Sequence, residues 1–160
     1  MAVVDSQLKS PKGNKTKRSK KKATPISKKG LNVKRLYTTP DVHPFDAIEF
    51  QQRTSKITEP DGTIIFEMNN VEVPITWSQL ATDIMVSKYF RKAGVPETGS
   101  EISAKQVVKR LAHTIRNQGE ARKYFATKED ADAFEMELTH MLITQKGAFN
   151  SPVWFNCGLY

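Results

Sequence analysis

The first pattern along the chain is an alternation of apolar and polar residues between positions 44 and 75, which is typical of β-strands. Residues 47–50 alternate, and Pro60-Asp61-Gly62 follows as a turn in which proline presets φ and glycine accepts a positive φ. Asn69-Asn70 then separates two apolar sets and predicts a two-residue hairpin turn. We expect a small antiparallel β unit with one shared apolar face, formed by Ile64, Phe66, Met68, Val71, Val73 and Ile75.

The predicted hairpin has consequences for its outer face and for its edge. With the turn at Asn69-Asn70, Glu67 lies opposite Glu72, which is unfavourable unless that face is wet or a cation is close. Pro74 has no N–H to donate to a ladder, so its strand is expected at an edge of the sheet.

Three stretches with helical spacing follow, and each begins with a pattern that caps a helix. The first begins at Thr76-Trp77-Ser78-Gln79 and is expected to end near Gly94. The second begins at residues 103–106, and the third begins at residues 127–130 and closes at Gly147. These elements predict an α+β fold that is mainly α. Three apolar stripes are expected in its core: Trp77, Leu80, Ala81 and Ile84; Val107, Val108, Leu111, Ala112 and Ile115; and Ala131, Phe134, Leu138, Met141 and Leu142.

Charge changes the picture at the N-terminus. Residues 1–36 hold 12 of the 25 Lys and Arg residues and one of the 17 acids, Asp5, so this segment carries +11 and the rest of the chain −3. A segment with so few apolar residues cannot offset the entropy of ordering, so we expect a disordered basic arm. Such an arm is either a nucleic-acid or acidic-partner arm that acts by counterion release, or a solvated tail, and the composition favours the tail.

The remaining totals bound the class of protein. A single cysteine excludes an internal disulfide framework. No apolar run is long enough to span a membrane, and the N-terminus lacks the apolar core of a signal peptide. These features predict a cytoplasmic protein without a membrane partner.

Candidate chemistry is sparse. His43, His113 and His140 show no ligand spacing with one another, with Cys157 or with acids, so no metal site is predicted. Nothing near Cys157 supplies the positive charge that stabilises a thiolate, which favours a buried free thiol. No residue is assigned a catalytic role.

Asn150-Ser151-Pro152 is different, because an asparagine, a hydroxyl and a proline together give a rigid bend. Such a bend can direct the Ser151 hydroxyl and nearby backbone N–H groups at an anion. As an isolated tripeptide the pattern favours an ordinary turn.

The wider sequence resembles the N-terminal region of class II ribonucleotide reductases, the adenosylcobalamin-dependent family. The resemblance covers roughly residues 44–160 and leaves the basic arm out. It is carried by Ile48-Glu49-Phe50 through the Pro60-Asp61-Gly62 turn, by Ala81-Thr82-Asp83-Ile84, by Lys88 to Pro96, by Thr144-Gln145-Lys146 with the helix before it, and by Phe149 to Leu159.

The resemblance implies an oxidoreductase that makes deoxyribonucleotides for DNA synthesis and replication. Cleavage of a cobalt–carbon bond in adenosylcobalamin generates a thiyl radical, and a pair of thiols then reduces the ribose. Ser151 is similar to the family's substrate contact, so it is expected to bind the nucleotide phosphate. Cys157 falls at a variable position of the family's pattern and takes no catalytic role. Whether the substrate is a di- or triphosphate stays open.

The resemblance also implies a division of the chain. Residues 44–146 are expected to be the N-terminal domain, and residues 147–160 the start of the α/β catalytic barrel, entered through a buried strand. The radical and redox cysteines and the cobalamin pocket are then expected in residues that this chain lacks, in a truncated product or one piece of a split enzyme. We expect the chain alone to be inactive. The alternative is a small nucleic-acid- or acidic-partner-binding module with a basic arm.

Overall fold

A computed structural model describes residues 30–158 of the protein. Two strands form one antiparallel sheet, and the helices follow them in the chain. This arrangement confirms the predicted α+β class with its excess of helix. In chain order the elements are β1 (Phe50–Thr58), β2 (Ile64–Pro74), α1 (Gln79–Ile84), a π-helix (Met85–Tyr89), α2 (Ala104–Ala121), α3 (Lys128–Ile143) and α4 (Ser151–Asn156).

The turn between β1 and β2 lies at Pro60-Asp61-Gly62, as predicted. Gly62 has a φ of 89°, a conformation that favours glycine. The Asp61 carboxylate accepts a hydrogen bond of 2.9 Å from the backbone N–H of Thr63, which stabilises the turn.

The second predicted turn, at Asn69-Asn70, is wrong: the chain runs straight through these residues within β2. The ladder shifts register here, because Arg53 pairs with Val71 while Ser55 pairs with Met68. One extra residue is therefore accommodated in β2 as a β-bulge, and Asn70 takes a φ of 56°. Because asparagine tolerates this conformation, Asn-Asn serves a bulge as readily as a turn.

The bulge explains why four of the six residues of the predicted apolar face lie together although the turn is wrong; Ile64 and Ile75 are 49% and 44% exposed. One inserted residue reverses the side-chain alternation, so Phe66 and Met68 before the bulge share a face with Val71 and Val73 after it.

The predicted opposition of Glu67 and Glu72 does not occur, because the two residues belong to the same strand. Glu67 lies across from Lys56 instead. Glu72 receives hydrogen bonds from the Ser103 hydroxyl at 2.5 Å and from the Lys105 ammonium at 2.7 Å, which join β2 to the start of α2.

The first predicted helix is shorter than expected and faces a different way. Ser78 caps it, and the helical stretch ends at Tyr89 rather than near Gly94. Leu80 and Ile84 of the predicted stripe are 69% and 46% exposed. Thr82 is buried instead, because its hydroxyl accepts a hydrogen bond of 3.1 Å from the Arg53 guanidinium of β1, which turns this side of α1 toward the sheet.

Helices α2 and α3 pack against each other and begin as predicted. Ser103 with Gln106, and Thr127 with Asp130, each form a reciprocal capping box. The buried core joins both helices to β2, to Trp77 and to the π-helix; its members include Val71, Val73, Trp77, Val86, Phe90, Val107, Val108, Leu111, Leu142, Ile143 and Trp154.

The boundary of the predicted arm differs in the structure. Leu31 donates its N–H to the Tyr124 carbonyl at 2.7 Å and accepts from the Ala126 N–H at 2.9 Å, so residues 30–36 begin in contact with the loop before α3. Residues 1–29 lie outside the described residues, so the binding role considered for the arm stays a prediction.

A buried carboxylate holds the segment that follows. Glu137 of α3 accepts hydrogen bonds from the backbone N–H groups of Tyr37 and Thr38 and from the Thr38 hydroxyl, at 2.6 to 3.1 Å. Burial raises the pKa of Glu137, but these donors outweigh it and hold the pKa below its ordinary value.

The end of the described chain corrects another expectation: residues 151–156 form helix α4, not a buried strand. Proline in the first turn of a helix costs no hydrogen bond, so Ser151-Pro152 begins a helix readily. The helix buries Trp154, which is 5% exposed, and leaves its neighbour Phe155 44% exposed.

The bulge can be tested at Asn70. Replacing Asn70 with Val should lower the free energy of unfolding by about 1–2 kcal/mol, because a β-branched residue is strained at positive φ. Asn70→Gly should be nearly neutral. Urea denaturation of the chain measures both, with Asn69→Val as the control for loss of a neighbouring polar side chain. Equal losses for both valine variants would contradict the bulge.

The carboxylate of Glu137 predicts a pH dependence. Because its pKa is lowered on folding, its contribution to stability is present above its ordinary pKa of 4.5 and is lost as the pH falls below that value. Melting temperatures between pH 3 and 7 should therefore fall less steeply for Glu137→Gln than for the parent chain. The exposed Glu129→Gln variant is the control and should keep the parent slope.

Candidate functional site

The one site residue predicted from the sequence, Ser151, lies on the surface as the first residue of α4. Its hydroxyl oxygen is 3.0 Å from the hydroxyl oxygen of Tyr89, the last residue of the π-helix. Asn150, which precedes it, makes no side-chain capping bond to the helix. The structure thus leaves the Ser151 hydroxyl open to solvent on one side and paired with a phenol on the other.

A buried ion pair holds α4 in place. The Nε of Arg110 in α2 lies 2.7 Å from Oε1 of Glu101, and the two side chains are 1% and 0% exposed. The same guanidinium donates from Nη1 to the carbonyl oxygens of Trp154 at 3.2 Å and Cys157 at 2.7 Å. The Arg110 side chain therefore binds the backbone carbonyls at the C-terminal end of α4.

A second arginine reinforces this attachment. Arg91 donates its backbone N–H to Oε2 of Glu101 at 2.7 Å, and its guanidinium donates to the carbonyl oxygen of Phe155. Glu101 in turn donates its own N–H to the Arg91 carbonyl at 2.8 Å. One buried carboxylate thus coordinates two arginines, and each arginine also contacts α4.

Aromatic packing fixes the other face of α4. The Tyr89 ring lies 5.9 Å from the Trp154 ring and 5.2 Å from the Phe155 ring, measured between centroids. The Trp154 indole donates to the Phe149 carbonyl at 2.8 Å. Each large aromatic ring in such a cluster contributes apolar burial with a defined geometry.

Sequence reasoning missed Arg110, Glu101 and Tyr89. A signal for Arg110 was present, since it lies three residues after Val107 and beside Leu111 on the apolar stripe of α2, where a charge needs a partner. The partner itself precedes the helix, and no local pattern identifies it.

Cys157 is partly buried next to this ion pair. Burial raises the pKa of its thiol, and the nearby Arg110 charge offsets only part of that effect. The neutral thiol is therefore favoured at neutral pH. Gly158 follows with a φ of 68°, and a Cβ here would lie 2.6 Å from Cγ of Arg110, so the chain passes Arg110 too closely for a side chain.

The three histidines lie in separate surroundings. His43 accepts from the Phe45 N–H, His113 pairs with Glu135 at 2.9 Å, and His140 stacks on the Tyr37 ring. Among residues 30–158, no group of three or more His, Cys, Asp or Glu side chains is arranged to hold a metal ion.

Two cavities of about 390 Å³ each lie beside the end of α4. The first is lined in part by the polar residues Lys109, Arg110 and His113, and Gly158 also lines it. The second is almost wholly apolar and includes Phe125 and Cys157. No helix in the part of the chain described here is long and apolar enough to cross a membrane.

Comparison with known proteins identifies the family of the chain. A sequence model described as class II vitamin B12-dependent ribonucleotide reductase matches residues 51–145. The chain is 48% identical over 132 residues to the vitamin B12-dependent ribonucleotide reductase of Streptomyces coelicolor, and 44% identical over 149 residues to that of Streptomyces clavuligerus. The Agrobacterium fabrum enzyme is 39% identical over 162 aligned positions. The chain belongs to the class II vitamin B12-dependent ribonucleotide reductase family.

The matches cover most of this chain and little of the relatives. They span 81% of the chain and 13% of the Streptomyces coelicolor protein, and 92% and 15% for Streptomyces clavuligerus. The family resemblance predicted from the sequence is thereby confirmed for the N-terminal portion of such a reductase.

The buried ion pair gives a stability prediction. Glu101→Ala should lower the free energy of unfolding by about 3–5 kcal/mol, because it leaves the Arg110 charge buried without its partner. Denaturation of the purified chain, followed by circular dichroism, measures the loss. Exposed Glu59→Ala is the matched control and should change stability by less than about 0.5 kcal/mol. A loss no larger than that of the control would contradict the role of the pair.

Proposed function

We propose that this chain is the N-terminal part of an oxidoreductase that reduces ribonucleotides to deoxyribonucleotides for DNA synthesis by a thiyl-radical mechanism. The observation that supports this most strongly is the match of residues 51–145 to the family, together with identities of 39–48% to three named reductases. The division into an N-terminal domain at 44–146 and the entrance to a catalytic barrel at 147–160 is part of the same proposal.

Within that enzyme, the contribution of this chain is to hold Ser151 where the nucleotide binds. A serine hydroxyl donates one proton, and hydrogen bonds to a charged oxygen are shorter and stronger than neutral ones. Ser151 is exposed, and its backbone is carried by a short helix tied down by Arg110 and by Trp154. These features suit a contact to the nucleotide phosphate from a fixed position.

The radical chemistry belongs elsewhere in the enzyme. Cys157 has a raised pKa and is the single cysteine of the chain, so it cannot supply both a radical and a reducing dithiol. We infer that the chain alone does not reduce ribonucleotides.

Neither of the two cavities beside α4 is large enough to enclose the cobalamin cofactor of the family. A drug-sized ligand fills a pocket of about 300–1,000 Å³, and a corrin with its nucleotide tail is larger. The two cavities of about 390 Å³ are too small for it. We therefore assign adenosylcobalamin binding to the length of the reductase that this chain does not span.

The proposal can be tested by supplying the remainder of the enzyme. The chain should restore deoxyribonucleotide formation from ribonucleotides when it is joined to, or mixed with, the rest of the reductase and adenosylcobalamin. Either part alone should be inactive. The product is measured by chromatography, and activity of the chain alone, or of the remainder without it, would contradict the proposal.

The role of Ser151 has its own test in the restored enzyme. Ser151→Ala should raise KM for the ribonucleotide about 10- to 100-fold, which corresponds to the loss of one hydrogen bond to a charged group. Ser100→Ala is the matched control and should keep the parent KM. An unchanged KM for Ser151→Ala would exclude the phosphate contact without affecting the family assignment.

A further inference from the structure

The hydroxyl pair formed by Tyr89 and Ser151 joins two elements that are 62 residues apart in the sequence. Their oxygen atoms are 3.0 Å apart, a normal distance for a hydrogen bond, and either oxygen could be the donor. Ser151 is exposed, so it could satisfy its hydroxyl with water alone. The Tyr89 phenol is therefore not needed merely to satisfy the hydrogen-bonding capacity of the Ser151 hydroxyl.

Tyr89 is held firmly enough to act as a fixed point. It ends the π-helix, where the Phe90 N–H reaches back to the Met85 carbonyl at 3.1 Å, a spacing found often at functional sites. Its ring packs against the rings of Trp154 and Phe155. These ring contacts restrict the position of the phenolic oxygen.

We propose that Tyr89 is a positioning residue for Ser151: its phenol donates a hydrogen bond to the Ser151 oxygen and so leaves the serine proton directed at the nucleotide phosphate. This inference rests on the proposed function of Ser151 as the phosphate contact. It adds a residue from a different element, whose own side chain need not touch the substrate.

The direction of the hydrogen bonds follows from counting protons. A serine hydroxyl has one proton and two lone pairs, and a tyrosine hydroxyl can both donate and accept. A phosphate oxygen only accepts here, so Ser151 has to give it its proton. Tyr89 then has to donate to Ser151, and the resulting chain of two hydrogen bonds strengthens the bond to the anion.

The size of the effect can be bounded. Without the phenol, the Ser151 side chain chooses among three staggered rotamers, so selecting one of them is worth about threefold in affinity. Polarisation by a second hydrogen bond adds to this. We expect the loss of the Tyr89 hydroxyl to weaken nucleotide binding about three- to tenfold, less than the loss of Ser151 itself.

The test uses the restored enzyme and Tyr89→Phe, which removes the hydroxyl and keeps the ring against Trp154 and Phe155. KM for the ribonucleotide should rise about three- to tenfold while kcat at saturation stays within twofold, since the Ser151 contact, which serves ground state and transition state equally, is weakened. Exposed Tyr124→Phe is the matched control and should leave both constants unchanged. A purely structural role would instead lower the melting temperature and kcat together, and that result would overturn the proposal.

A double-mutant cycle separates positioning from direct contact. In the Ser151→Ala background, Tyr89→Phe should have no further effect on KM, because the residue it positions is gone. If the KM increase of the double variant equals the product of the increases of the two single variants, Tyr89 acts independently of Ser151, and the proposal is overturned. If Ser151→Ala raises KM and Tyr89→Phe does not, the positioning role alone fails. If Ser151→Ala leaves KM unchanged, the phosphate contact fails, and the positioning role fails with it.

Discussion

The arrangement of the candidate site depends on the buried ion pair between Arg110 and Glu101. Burying two charges is expensive, and such a pair is stable only when the remaining protons and lone pairs are also satisfied. Here the pair is completed by backbone groups: the guanidinium donates to the carbonyls of Trp154 and Cys157, and the carboxylate accepts the N–H of Arg91. The ion pair therefore stabilises the position of α4, and the carbonyl groups at the end of α4 stabilise the buried guanidinium.

This mutual dependence explains why a six-residue helix keeps a defined position. A helix of this length is not stable alone, because nucleation is unfavourable and the helix forms too few backbone hydrogen bonds to offset that cost. Trp154 anchors one face in the core, and Arg110 takes up the carbonyls at its C-terminal end. Gly158 lets the backbone pass close to Arg110. A surface element that carries Ser151 is thus fixed by contacts that are themselves buried.

Local patterns in the sequence predicted the parts of the fold that depend on neighbours in the chain. The capping boxes at Ser103 and Thr127 and the turn at Gly62 are examples, since each is decided within four residues. The turn predicted at Asn69-Asn70 and the strand predicted at residues 151–156 were wrong. Each sequence is compatible with two backbone conformations, and tertiary contacts decide which one forms. Ser151 was predicted from resemblance, whereas the pairing with Tyr89 spans 62 residues and has no local signal.

The same contacts connect the two hydroxyls of the candidate site. The Arg110 guanidinium also approaches the Tyr89 carbonyl, at 3.5 Å, so one buried side chain contacts the end of the π-helix and the end of α4. The buried core therefore helps to fix the two backbone elements that carry the Tyr89 and Ser151 hydroxyls. Because packed cores resist deformation, a hydroxyl pair held in this way keeps its geometry before any ligand arrives. For the phosphate contact proposed at Ser151, preorganisation of this kind would reduce the entropy cost of binding.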